Sequence, residues 1–118
     1  MADKHLYLVF NNPIPGREDE FAKWYDGTHI PQVMAVDGKQ IVSAQRYKLR
    51  QLSRDAGQQP AQACLTVYEL EGDPDEYMDK IVTAVSAGEV QMEGAPFDIH
   101  TVAMSFWEPV TEKVEQPE

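Results

Sequence analysis

The feature that most narrows what this chain can fold into is a sharp helix start set between two extended segments. Asp73-Pro74-Asp75-Glu76 reads as an N-cap, an N1 proline and an N3 glutamate, with acids in the first turn where the helix dipole favours them. Tyr77, Ile81, Ala84, Val85 and Gly88 then trace one face, which predicts a helix ending near Gly88. Before it, Cys64 to Glu71 reads as a strand. After it, a Gly/Pro-containing loop from Glu89 to Asp98 leads into a last strand, Ile99 to Glu108.

The first half of the chain repeats this order. His5 to Asn11 is β-branched and aromatic and predicts a strand, which Asn12-Pro13-Ile14-Pro15-Gly16 breaks. Arg17-Glu18-Asp19-Glu20 opens a helix, and Phe21, Trp24, Tyr25 and Thr28 share one face of it. Gly27 and Pro31 predict that this helix frays at His29. After a turn at Asp37-Gly38, Ile41 to Leu49 predicts a strand with Ile41, Ser43, Gln45 and Tyr47 on one face and Val42, Ala44, Arg46 and Lys48 on the other. Arg50 to Ala63 is a hairpin loop. Strand-helix-strand-strand-helix-strand is the order of a ferredoxin-like βαββαβ unit, an α+β fold with a four-stranded antiparallel sheet. A single domain over residues 1–111 and a frayed acidic tail over 112–118 are expected.

Both helices would cover one sheet face. The other face is expected to carry Tyr47, Tyr68 and Trp107, semi-apolar and with no element left to cover it. An uncovered patch of that kind predicts a homodimer built sheet to sheet.

Charge excludes several partners. Residues 1–59 hold eight Lys/Arg against seven Asp/Glu, whereas residues 60–118 hold two against thirteen, for a net charge of −10. Nucleic acid and anionic membrane surfaces need clustered cations, so neither is an expected partner. No apolar run approaches the roughly 18 residues of a membrane span, and the N-terminus lacks a signal-peptide pattern. One cysteine, Cys64, allows no internal disulfide, and a cytoplasmic location is expected. Three histidines spread over positions 5, 29 and 100 show no ligand spacing, so no metal is expected. No cofactor is expected either: there is no glycine-rich phosphate loop, and no residue stands out as a haem ligand. A neutral or small organic ligand, or another protein, remains.

Asn12-Pro13-Ile14-Pro15-Gly16, Phe21, Trp24-Tyr25-Asp26, His29-Ile30-Pro31, Gly38 and Gln45-Arg46-Tyr47 together resemble the dimeric α+β barrel superfamily. Within it the likeness is to EthD-like small proteins, whose first helix ends in a Tyr-x-x-x-His-x-Pro run, matched here by Tyr25, His29 and Pro31. The resemblance covers nearly the whole chain in element order and about the first fifty residues in motif. It implies a cleft between sheet and helices, entered near the end of the first helix, and a small, mostly apolar ligand. Superfamily members include isomerases, polyketide cyclases, decarboxylases, cofactor-free monooxygenases and haem enzymes, so the reaction must be argued from residues.

His29 is the first candidate for chemistry. An imidazole can exchange a proton near neutral pH, Tyr25 four residues earlier, or Tyr68, can donate to an oxyanion, and Asp26 can fix the tautomer. The plainer alternative is that His29 caps the helix through backbone carbonyls. His100, on the face of Val102, Met104 and Phe106, is a second candidate, the plainer reading being a histidine packed against the helices or exposed at a strand end; His5 is expected to be solvated. Trp24, Tyr47, Tyr68 and Trp107 could wall a pocket for a flat ring, or could be ordinary core. Arg46 is expected to pair with Asp26 or Glu20. The expected activity is cofactor-independent proton transfer on a small aromatic, lactone or polyketide-like molecule, of isomerase, cyclase or decarboxylase type. A monooxygenase or a non-catalytic binding dimer are the alternatives.

Overall fold

Residues 4–55 and 57–118 are described by the computed structural model. Four strands, β1 (Lys4–Pro13), β2 (Ile41–Lys48), β3 (Cys64–Glu71) and β4 (Phe97–Trp107), form one sheet in the order β2-β3-β1-β4. All pairings are antiparallel. Helical segments α1 (Glu18–Trp24), a π-turn (Tyr25–His29) and α2 (Ile30–Met34) run on from one another, and α3 (Pro74–Ser86) follows β3. This is the ferredoxin-like α+β arrangement.

The helix start at Asp73 forms as its residue types dictate. The Asp73 carboxylate accepts the Asp75 N–H at 3.1 Å, Pro74 occupies the first turn, and Glu76 pairs with Lys80 one turn on at 3.0 Å.

The first helix departs from expectation. It does not fray at His29 but continues to Met34 through a wider turn. Pro31 has no N–H to give, and its ring would collide with the carbonyl four residues back in a regular helix. The π-turn absorbs this: the Ile30 N–H reaches the Tyr25 carbonyl, five residues back, and Pro31 falls in the first turn of α2, where its missing donor is harmless.

One sheet face meets the helices. Tyr7 and Val9 of β1, Tyr68 and Leu70 of β3, and Ile41 of β2 pack there against Val33, Val36, Tyr77 and Ala84. The expected placement of Tyr68 beside Tyr47 on the open face is therefore wrong. Thr66, Tyr68 and Leu70 alternate into the core, whereas Tyr47 lies opposite Leu65, which belongs to the other face of β3. Ile41 is also expected on the face of Tyr47, and a bulge between Ile41 and Ser43 breaks that alternation. It turns Ile41 inward while Ser43, Gln45 and Tyr47 face out. Trp107 is opposite Leu6 and is 57% exposed.

A second irregularity lies between Phe10 and Asn12, where β4 shifts its register on β1. There the Thr101 hydroxyl accepts the Asn12 N–H at 2.9 Å, and the Asn12 side-chain oxygen accepts the Ala63 N–H at 2.7 Å. Pro13 can stay in the strand because β3 stops at Cys64, opposite Asn11, leaving β4 as its sole neighbour.

Candidate functional site

Between the helices and the sheet lies a cavity of about 340 Å³. Its floor is Tyr7, Val9 and Asn11 of β1 with Tyr68 of β3. The first helical run supplies Trp24, Tyr25, His29 and Val33, and α3 supplies Tyr77, Ile81 and their neighbours. Val82, Val85, Ile99 and Met104, all exposed, line its open side. Among the described residues, no Asp, Glu, Lys or Arg lines it.

The π-turn places the functional candidates. His29 is held between two aromatic rings, stacked on Trp24 with centroids 4.4 Å apart and edge-on to Tyr25 at 5.1 Å. Phe97 continues the stack from Trp24 at 5.7 Å. The His29 side chain is buried, and its Nδ1 has no hydrogen-bond partner among the described residues. With no carboxylate beside it, burial alone pushes its pKa down to about 4. The imidazole is therefore neutral at physiological pH, a proton acceptor rather than a donor.

Beneath it, the Asn11 amide Nδ2 donates to the Tyr25 hydroxyl at 2.8 Å. Because that oxygen accepts from Asn11, its own proton is left to point elsewhere. Burial raises the Tyr25 pKa against the opposing hydrogen bonds of Asn11 and Thr66, so the phenol stays protonated. The Asn11 Oδ1 has no partner among the described residues. Residue-type reasoning passed over Asn11 as a strand end. The available signal was an amide at a core-facing position in step with Tyr7 and Val9.

Of the other candidates, Trp24 and Tyr68 lie in the cavity wall, and four, Tyr47, Trp107, His100 and Asp26, do not. Tyr47 and Trp107 are on the far sheet face. His100 is exposed, with its N–H bound to Asp98 Oδ1 at 3.0 Å, because the register shift breaks the alternation that would have aligned it with Val102. Asp26 does not orient the imidazole. It forms a two-pronged ion pair with Arg46, at 2.7 and 3.0 Å, and that guanidinium holds its carboxyl below the usual carboxylate range. Among the described residues, no three His, Cys, Asp or Glu side chains come together as a metal site, and no helix is long and apolar enough to cross a membrane.

No family model and no curated protein matches the sequence. Solved structures do match. An EthD-like protein from Ralstonia eutropha JMP134 superposes with a TM-score of 0.65 at 14% identity, covering 96% of this chain and 97% of that one. The chain has the fold of the EthD-like proteins. A second structure, an ethyl tert-butyl ether D (EthD) family protein from Bacillus halodurans C-125, gives a TM-score of 0.57 at 14% identity over 92% of this chain and 99% of that one. The EthD-like fold thus spans nearly the whole chain.

Proposed function

We propose that the cavity binds a small, uncharged, largely apolar carbonyl compound, and that His29 moves a proton at the carbon beside the carbonyl. The observation that carries this reading is the neutral, buried imidazole set against a protonated phenol within a chamber that no charged side chain lines among the described residues. His29 takes the proton from carbon, and the electron pair of the broken C–H bond passes to the carbonyl oxygen. The Tyr25 hydroxyl, held by Asn11, donates to the oxyanion as it forms. An imidazole this weakly basic becomes a stronger base as the enolate charge grows beside it, since the two opposite charges stabilise each other in a poorly solvated space. Returning the proton to a second carbon completes an isomerisation; closing a ring onto the enolate makes a cyclase.

Deuterium exchange tests this directly. In D2O the protein should speed loss of the α-protons of 2-tetralone and 4-chromanone over buffer, read by proton NMR. His29→Ala should lower the enzymatic rate by about 10²–10⁴-fold, the usual contribution of a positioned acid or base. Equal exchange by the wild type and His29→Ala would remove His29 from the chemistry. Consumption of dioxygen with either ketone would instead mark a cofactor-free monooxygenase.

A further inference from the structure

Four tyrosines, Tyr7, Tyr25, Tyr68 and Tyr77, contribute to the walls of the one cavity. Two of them have their hydroxyls engaged. Tyr25 accepts from Asn11, and Tyr7 donates to the Met104 sulfur at 3.2 Å. The hydroxyls of Tyr68 and Tyr77 are buried and have no partner among the described residues, although each residue is only 1% exposed.

A buried hydroxyl with nothing to bond is a standing cost, which phenylalanine would avoid at almost the same shape. Packing gives no reason for the oxygens. The Tyr68 ring stacks on Tyr7 at 5.3 Å and the Tyr77 ring meets Tyr7 edge-on at 5.6 Å, contacts that phenylalanine would make equally well. Burial pushes both phenols well above their ordinary range, so each presents a proton to donate. An anion entering the cavity would lose its hydration without finding a cation among the lining residues.

We infer that Tyr68 and Tyr77 form an anchoring site for an acceptor oxygen of the ligand, made by hydroxyls other than that of the Asn11–Tyr25–His29 group. The ligand class that follows is a flat, uncharged aromatic ketone, preferred over a hydrocarbon or a carboxylate of the same size. This rests on reading the cavity as a ligand site and is independent of proton transfer by His29.

Equilibrium binding tests it, with chromone, naphthalene and 2-naphthoate as probes and calorimetry or tryptophan fluorescence as the readout. Chromone should bind at least about tenfold more tightly than the other two, the value of one well-made hydrogen bond to a buried donor. Tyr68→Phe and Tyr77→Phe should each weaken chromone by about 5- to 20-fold and leave naphthalene within about twofold. Without ligand, both variants should unfold at a denaturant concentration equal to or above that of the wild type, because no internal bond is lost. Chromone binding unchanged in both variants, or naphthoate binding as tightly as chromone, would overturn the anchoring site. So would a fall in the unliganded midpoint, which would mean the hydroxyls bond within the protein. Failure of all three probes to bind wild type would overturn the cavity reading itself, whereas absence of deuterium exchange with intact chromone binding would overturn proton transfer alone.

Discussion

The indole of Trp24 lies nearly flat against the imidazole of His29, with centroids 4.4 Å apart and planes 17° from parallel. The two residues are five apart. On a regular α-helix they would project about 140° from each other, on different faces. The π-turn between Tyr25 and His29 brings them onto one face, so the stack is a product of the wide turn that Pro31 demands. A helix irregularity forced by one proline thus creates the pairing on which the site depends.

Because His29 is neutral when buried and titrates normally when unfolded, its protonation should weaken the fold. Its pKa falls from an ordinary 6.5 to about 4 in the native state. Between those values the unfolded chain binds the proton and the folded chain does not, so stability rises with pH across that window. Lowering the pH from 7 to 4 should cost about 3 kcal/mol from this group. Urea unfolding of the wild type and His29→Gln over this range checks it. The variant should lose most of the slope, and parallel slopes would show a solvated imidazole.

The Asn11–Tyr25 bond is buried at both ends, so removing one end alone should be expensive. Tyr25→Phe leaves the Asn11 amide without its acceptor and should cost about 1–3 kcal/mol. Adding Asn11→Leu to that variant should recover part of the loss, since both polar groups are then gone. Denaturant melts of the two single variants and the double variant measure the coupling.

Element order was legible because it depends on local signals: the Asp73-Pro74 cap, the aromatic runs and the glycine-proline breaks. Which face each strand turned inward was not. One extra residue at Ile41–Ser43 reverses the alternation of β2, and nothing in the residue types marks a bulge there. The same problem left open whether His100 packs against the helices or lies exposed, which the register shift of β4 decides. Tyr25 and His29 could be paired from their spacing, but the Trp24–His29 stack could not, because it exists only in a π-turn. Asn11 was overlooked for a different reason: its importance comes from the chamber above it, which belongs to no single segment.

The open face of the sheet should hold a second copy of the chain. Leu6, Tyr47 and Trp107 lie there, with Tyr47 48% and Trp107 57% exposed. Burying large apolar side chains yields about 25 cal/mol per Å², and an isologous contact counts each residue twice. Sedimentation at micromolar concentration should give a mass near twice the 13.3 kDa of the chain. Trp107→Glu, which puts a charge into the apolar contact, should shift this to the monomer without unfolding it. A wild type that sediments as a monomer would leave the face unpartnered.

Arg46 should act on the π-turn and hardly at all on global stability. Asp26 is 62% exposed and Arg46 28%, so solvent screens the pair and its worth to folding is small, about 1 kcal/mol or less. Its position is more telling than its strength. Asp26 sits within the π-turn, Arg46 comes from β2, and the guanidinium also lies 5.8 Å from the Tyr25 ring centroid. One side chain therefore ties the turn to the sheet at the residue next to Tyr25. Arg46→Lys keeps the charge but loses the fork that grips both carboxylate oxygens. Hydrogen exchange should then quicken at amides 25–30 while those of β1 and β3 keep their protection, since local opening of the turn needs no unfolding of the sheet. Equal protection in wild type and variant would show that aromatic packing around His29 holds the turn by itself.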